Sequence, residues 1–182
     1  MGGVVNICTN VVPSIAEHLK ITEDDFFQLA GMDWTKLLCG KINSRQFWKG
    51  IARKIHKEIE GDFFHKYFHP SRNHKVIHLI QDLRKNNRVV CGTNTFQIHY
   101  RVHFKKGDYR FFDEVYASHL IGMAKPDPLF YQYILDKEKS TKEKAVFIDD
   151  TWKNIVAARK MGIRSIHFVD ANLLKEELEK IN

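Results

Sequence analysis

The feature that most constrains the fold is an alternation of short apolar runs with helical stretches in the second half of the chain. The apolar runs have the length of strands and lie at residues 88–92, 114–117, 145–148 and 164–169. The helical stretches lie between and around them, at 73–85, 95–106, 127–139, 151–161 and 171–180. This alternation is typical of a parallel sheet that is covered by helices on both faces. The sequence therefore predicts an α/β protein with a three-layer, Rossmann-like parallel sheet core.

The first half of the chain has a different pattern. Helices are predicted at residues 22–30 and 44–60, and the second helix carries an apolar stripe at Phe47, Ile51, Ile55 and Ile59. No strand is predicted between residues 13 and 87. We therefore expect residues 13–72 to form a helical cap, inserted into a core made of residues 1–12 and 73–182.

Composition excludes several classes of protein. The chain has 182 residues, of which 43% are hydrophobic, as in folded globular proteins. No apolar run approaches the ~20 residues of a membrane span, and no secretion signal is recognisable at the start, so we expect no membrane partner. The three cysteines are scattered, which favours a reducing, cytoplasmic location.

The net charge is +7, but basic and acidic residues are interleaved and no nucleic-acid-binding motif is present. We expect no nucleic-acid partner and a surface that attracts small anions.

Polar side chains follow or precede the predicted elements at one edge of the sheet. Thr93 and Asn94 follow the first strand, Lys125 precedes the helix at 127–139, and Asp149 and Asp150 follow the third strand. Ligands of open α/β sheets bind at the carboxyl ends of the strands. Aspartate oxygens suit Mg²⁺, a lysine supplies a compact positive charge, and a hydroxyl can hold phosphate oxygens. These residue types together suit phosphoryl transfer.

Three stretches carry a resemblance to a known family: VVCGTNTFQIH, GMAKPDPLFYQYIL and VFIDDTWKNIVAARKMGI. With the cap stretch LLCGKINSRQFW, they resemble the haloacid dehalogenase superfamily, in the subgroup with a helical cap and a start of the type F-D-x-G-G-V. The resemblance implies a Mg²⁺-dependent phosphatase that acts on a small phosphorylated metabolite through an aspartyl-phosphate. A dehalogenase is disfavoured, because that chemistry needs no metal and would leave the acid pair without a role.

The same resemblance implies a role for each residue at the sheet edge. Thr93 would hold the phosphate, with Asn94 beside it, and Lys125 would pair with the nucleophile and the phosphate. Asp150 would be the principal Mg²⁺ ligand, Asp149 a second ligand or an outer-shell partner, and Asn154 a supporting residue. The two adjacent acids would thus share a divalent cation.

The start of the chain departs from the family pattern. MGGVV supplies x-G-G-V-V, so the family's nucleophilic aspartate would fall one residue before Met1, together with a central strand. We expect this 182-residue form not to turn over phosphate esters by the family mechanism. Either the natural chain begins upstream, or the protein is a non-catalytic relative that binds a phosphorylated ligand or a protein partner.

Several residues have a plainer interpretation. His65, His69, His74 and His78 form two H-x-x-x-H pairs that could ligate zinc, but Pro70 separates the pairs, so exposed or packing histidines are expected. Asp149 and Asp150 could instead cap the helix that follows them. Cys91 is expected to be a packing residue rather than a nucleophile. Nothing in the sequence predicts an oligomeric state.

Overall fold

Six short strands form three two-stranded ladders within residues 1–181, which the computed structural model describes. They are β1 (Asn6–Ile7), β2 (Ser71–Arg72), β3 (Val90–Thr93), β4 (Glu114–Ala117), β5 (Val146–Asp149) and β6 (Arg164–His167). The β3–β4 and β5–β6 pairs are parallel, and the β1–β2 pair is antiparallel. The register of the parallel pairs places Thr93 beside Ala117 and Asp149 beside His167, so the two strands of each parallel ladder end side by side.

Helices alternate with these strands, and the predicted α/β fold is confirmed. The helices are α1 (Val12–Leu19), α2 (Glu23–Ala30), α3 (Met32–Leu38), α4 (Ser44–Ile55), α5 (Phe63–Lys66), α6 (His74–Leu83), α7 (Gln97–Lys105), α8 (Ser118–Ile121), α9 (Pro128–Lys137), α10 (Trp152–Lys160) and α11 (Ala171–Glu179). Short 3-10 helices lie at Asp108–Phe111 and Lys142–Lys144. Helix α9 begins as predicted, because Asp127 accepts a hydrogen bond from the N–H of Leu129 and Pro128 is the first helical residue.

Helices α1 to α5 lie in the segment predicted as the cap, and they enclose a hydrophobic cluster of their own. Capping boxes fix the starts of two of them, between Thr22 and Asp25 at α2 and between Asn43 and Gln46 at α4. Aromatic side chains dominate the cluster, whose most deeply buried members are Ile15, Phe26, Leu37, Phe47, Ile51 and Phe64. Phe96, from the loop after β3, also belongs to this cluster. The cap therefore packs directly on a loop that starts at the strand ends.

Two further hydrophobic clusters belong to the α/β part. One is formed by α6, α11 and β6 and includes Val76, Ile77, Ile166 and Leu174. The other is formed by α9 and α10 and includes Phe130, Tyr131 and Ala158. Separate helix pairs thus cover the strands, as a three-layer arrangement requires.

Two predictions about the first half are wrong. The helix predicted at 44–60 ends at Ile55, because His56 adopts a left-handed conformation (φ 52°, ψ 38°) that closes the helix. The prediction of no strand between residues 13 and 87 is also wrong, since Ser71–Arg72 pairs with Asn6–Ile7. Two residues are too few to show an alternating pattern, so no pattern along the chain marks this strand.

The strands β3 and β5 do not pair with each other within residues 1–181. Side chains instead connect the two parallel ladders, and these side chains include the predicted site residues. No helix among the described residues is long and apolar enough to cross a membrane.

Candidate active site at the strand ends

Lys125 lies between the two parallel ladders and contacts both. Its Nζ donates a hydrogen bond to the carbonyl oxygen of Gly92 in β3 at 2.9 Å. The same Nζ lies 2.7 Å from Oδ2 of Asp149 at the end of β5. Both side chains are almost fully buried, with 5% and 6% of their surface exposed. Because Thr93 follows Gly92 directly, the structure brings Thr93, Lys125 and Asp149 together.

Asn94 fixes the loop that carries Lys125. Its Nδ2 donates to the carbonyl oxygen of Lys125, and its Oδ1 accepts from the N–H of Lys125, both at 2.8 Å. This reciprocal pair holds the loop before α9 against the end of β3. The sequence predicted Asn94 at this edge, but not that it would position the lysine backbone.

Asp149 is fully occupied by donors from the protein. Its Oδ1 accepts from the N–H of Thr151 at 2.8 Å and from Nδ2 of Asn154 at 2.9 Å, and its Oδ2 faces Lys125. Burial alone would raise the pKa of Asp149, but the Lys125 ammonium and these hydrogen bonds outweigh burial and lower it below its ordinary value. Asp149 is therefore ionised at neutral pH, and Lys125 is its counter-ion.

Asp150 differs sharply from its neighbour. It is exposed, and its side chain makes no ion pair or hydrogen bond within residues 1–181. Its carboxylate lies against Gly3, where a Cβ would come within 2.0 Å of Oδ2. Gly3 also has a positive φ of 77°, so two separate reasons favour glycine there. Gly3 was not predicted as a site residue, although the adjacent glycines at the start were the signal.

The two adjacent acids have different environments, because Asp149 has Lys125 as its positive partner whereas the Asp150 side chain makes no ion pair within residues 1–181. The prediction that one cation serves both acids stays a prediction. The alternative that they cap α10 is wrong, since the N-cap is Thr151 and no side-chain hydrogen bond caps that helix. Asp149 only supports the turn before the helix.

The fit to a magnesium ion depends on Asp150. The described residues contain no group of three or more His, Cys, Asp or Glu side chains that could hold a metal. Mg²⁺ does not require such a group, because it keeps several waters and is commonly held by one or two carboxylates together with substrate phosphates. The carboxylates at the strand ends fit that mode of binding, with Asp150 as the free carboxylate. They do not fit a site in which the protein supplies all the metal ligands.

The remaining predicted residues lie around this centre. Thr93 is buried at the end of β3. Asn154 is buried on α10, where it bonds Asp149 and where its backbone carbonyl accepts from the hydroxyl of Tyr131 at 2.9 Å. Next to Thr93, Thr95 and Ser118 exchange hydrogen bonds of 2.9 Å, which tie the loop after β3 to the end of β4. Ser118 was not predicted from the sequence, because no motif marks it.

The four histidines and Cys91 have no functional arrangement among the described residues. The side chains of His65, His69, His74 and His78 are all exposed. Cys91 is buried, and burial raises the pKa of its thiol. A thiol of this kind is a packing group and not an activated nucleophile.

The fold and this edge define a Rossmann-like α/β protein with its polar groups gathered at the carboxyl ends of the strands. The sequence pattern of the haloacid dehalogenase-like hydrolase family matches residues 6–162 of the chain. The chain belongs to this family of hydrolases.

Two relatives are similar over part of the chain. A drimenol cyclase from Aspergillus calidoustus is 35% identical over 77 residues, which are 42% of this chain and 15% of the cyclase. A sesquiterpene phosphatase from Aspergillus oryzae is 32% identical over 74 residues, which are 41% of this chain and 38% of that protein. The matched segment therefore spans well under half of either relative.

Solved structures share the fold over nearly the whole chain. A haloacid dehalogenase family enzyme from Bacteroides thetaiotaomicron, in complex with magnesium and inorganic phosphate, superposes with a TM-score of 0.73. It is 23% identical, and the match covers 91% of this chain and 89% of that one. At this identity the likeness concerns the fold.

Proposed function

We propose that this chain carries the phosphate-binding site of a Mg²⁺-dependent phosphatase that acts on a small phosphorylated metabolite. The observation that supports it most is the position of Lys125, which brings a buried ammonium group to the edge where Thr93 and the free carboxylate of Asp150 also lie. The similarity to a sesquiterpene phosphatase supports the reaction class. The Bacteroides enzyme, which was solved with magnesium and phosphate, supports the cofactor.

Each residue has a distinct task in this proposal. Lys125 binds the phosphoryl oxygens through its ammonium group, and Thr93 adds a hydroxyl donor. Asn94 holds the Lys125 backbone, and Asn154 and the N–H of Thr151 hold Asp149, so the ammonium group stays in place. Asp150 would hold Mg²⁺, which would neutralise the charge of the phosphoryl group. Residues 13–72 are the cap over this edge.

Asp149 does not serve as the nucleophile here. Both its oxygens are hydrogen-bonded, and its negative charge is paired with Lys125. It acts as an outer-shell residue that orients the lysine. Binding and turnover are therefore tested separately.

Calorimetric titration of the 182-residue chain with inorganic phosphate and Mg²⁺ tests the binding part. We expect binding that weakens by about tenfold or more in Lys125→Ala, since a charge-assisted hydrogen bond to the anion is lost. Asp150→Asn should remove the dependence on Mg²⁺. Lys153→Ala is the matched control, because Lys153 is an exposed lysine on the neighbouring helix α10. Equal phosphate affinity in Lys125→Ala and the parent chain would refute the proposed site.

Hydrolysis of a generic phosphate ester tests the catalytic part. We expect no turnover by the 182-residue chain, and turnover by a form in which a strand ending in Phe-Asp precedes Met1. Binding without turnover in both forms would favour the second candidate, a non-catalytic protein that binds a phosphorylated ligand.

A further inference from the structure

The net positive charge of the chain is concentrated in residues 34–57 (the basic segment), which lie within the segment predicted as the cap. The basic segment contains seven of the 29 Lys and Arg residues and no Asp or Glu. The remaining 22 basic residues equal the 22 acidic residues of the chain, so the rest of the molecule carries no net charge. The seven residues are Lys36, Lys41, Arg45, Lys49, Arg53, Lys54 and Lys57.

Helix α4 places three of these charges in a row on its exposed face. Arg45, Lys49 and Arg53 are spaced by four residues, so their side chains are neighbours along the helix. The opposite face of α4 is held in the hydrophobic cluster by Phe47 and Ile51, each of which is 1% exposed. The row of three cations therefore faces solvent.

Most of the charges in the basic segment have no counter-ion. Lys36 and Lys54 share one acid, Asp33, whose carboxylate oxygens lie 2.8 and 3.9 Å from their ammonium groups. The other five side chains make no ion pair within residues 1–181. Like charges at a spacing of four residues disfavour a helix. The stability of α4 therefore does not explain the row of cations, whereas an anionic partner would explain it.

An exposed apolar side chain lies beside this charge. Met32 is 79% exposed at the first position of α3, and Lys36 is on the same face of that helix, one turn later. The ammonium group of Lys54 donates a hydrogen bond to the carbonyl oxygen of Leu29 at 2.6 Å, which holds the end of α4 next to the start of α3. Cations from two helices thus flank Met32, whose transfer from water into an apolar phase would be favourable.

These features favour a lipid surface over a nucleic acid. Proteins that bind single-stranded nucleic acids combine basic groups with exposed aromatic rings on which the bases stack. In the basic segment Trp34 is half-buried, and Phe47 and Trp48 are buried. Clusters of about four to eight cations on a helix are typical of binding to anionic lipids. Binding at a lipid interface also gains from the burial of apolar side chains such as Met32.

We propose that the basic segment binds the surface of a membrane that contains anionic lipids, with Met32 inserted between the headgroups. The attraction is electrostatic, since each Lys or Arg near such a surface favours binding. The expectation of no membrane partner rested on the lack of an apolar span, and peripheral binding needs no span. The proposal uses none of the residues at the strand ends, so it does not depend on the proposed function.

Sedimentation with lipid vesicles tests the role of the charges. We expect the 182-residue chain to bind vesicles that contain about one-third phosphatidylserine, and not vesicles of phosphatidylcholine alone. Added salt should weaken the binding, because it screens the attraction. The triple variant Arg45→Gln, Lys49→Gln and Arg53→Gln should bind the anionic vesicles about 100-fold more weakly, since each cation contributes roughly fivefold.

A second triple variant removes the same number of charges elsewhere. Lys137, Lys142 and Lys144 are exposed and lie in a stretch where basic and acidic residues alternate. Replacing all three by Gln should weaken vesicle binding by less than about threefold, because they lie outside the basic segment. Glutamine is compatible with helices and every replaced side chain is exposed, so both variants should fold. Urea denaturation checks this.

A separate pair of variants tests the insertion of Met32. Met32→Gln should weaken binding to the anionic vesicles by about tenfold, and by the same factor at low and high salt, since an apolar contribution is not screened. Leu129→Gln is the matched control, because Leu129 is 62% exposed on α9, outside the basic segment. It should leave vesicle binding unchanged.

Several outcomes would overturn the proposal. Equal binding to vesicles with and without phosphatidylserine, or equal losses in the two triple variants, would show that the basic segment is not the contact. Binding of single-stranded RNA without binding of the anionic vesicles would assign the segment to a nucleic acid instead. Unchanged affinity in Met32→Gln would refute the insertion of this side chain.

Discussion

The hydrophobic cluster of the cap and the polar edge of the sheet are stabilised in different ways. In the cap, rings pack at many angles, as with Trp48 and Phe64 at 4.5 Å and Phe64 and Phe96 at 4.6 Å between centroids. At the edge, Lys125, Asp149 and Asn94 are held by hydrogen bonds of 2.7 to 2.9 Å with defined partners. Apolar packing of this kind is tolerant of substitutions that conserve side-chain volume. Hydrogen bonds to buried charges do not tolerate the loss of a partner.

This difference indicates where function constrains the chain. A buried ion pair contributes little net stability compared with apolar residues of the same volume, so stability alone does not explain why Lys125 and Asp149 are there. Their presence at the strand ends is explained if the Lys125 ammonium group serves to bind a ligand. Substitutions in the two regions should therefore separate stability from binding.

The largest effect is expected for Lys125→Ala. It leaves the charge of Asp149 buried without its partner, and we expect a loss of about 3–5 kcal/mol in the free energy of unfolding, measured by urea denaturation. The double variant Lys125→Ala with Asp149→Asn should recover part of that loss, since no unpaired charge remains. If the single and double variants are equally unstable, the ion pair is not the cause.

Acid should destabilise the protein less than Lys125→Ala does, because Lys125 keeps its hydrogen bond to the carbonyl oxygen of Gly92 when Asp149 is protonated. The pKa of Asp149 is lowered in the folded protein, so its contribution is complete above the unfolded value of about 3.9 and disappears as the pH falls through the folded value. Urea denaturation over this acidic range should show a steeper loss of stability for the parent chain than for Asp149→Asn. Parallel curves would contradict the ionised state of Asp149.

The order of the elements and the proximity of polar residues at the strand ends could be predicted from sequence, because both follow from patterns along the chain. Strand β4 was predicted at its exact bounds, and Thr93, Lys125 and Asp149 do lie together. What could not be predicted depends on three-dimensional contact. The ion pair between Lys125 and Asp149 joins residues 24 apart, and the contact of Gly3 with Asp150 joins residues that are still further apart in the sequence.

A smaller effect is expected for Asn94→Ala, which breaks both bonds to the backbone of Lys125. One buried N–H or C=O group left unpaired costs about 1–3 kcal/mol, and partial access to water should keep the loss in the lower part of that range. Phosphate binding should weaken as well, since Lys125 loses its support. Asn94→Asp is the control, because it keeps the acceptor for the N–H of Lys125 and loses the donor. Full stability together with full phosphate affinity in Asn94→Ala would show that the loop does not depend on this side chain.

The smallest effect is expected in the cap, for Ile51→Val. Ile51 is 1% exposed within the aromatic cluster, and removal of one methylene group there costs about 0.5–1.5 kcal/mol in unfolding free energy. Affinity for inorganic phosphate should be unchanged, because Ile51 contributes only to packing within the cap. Thermal denaturation and phosphate titration of the same sample test both parts. A drop in phosphate affinity as large as that of Asn94→Ala would mean that cap packing and the polar edge are coupled, and that the contrast between the two regions does not hold.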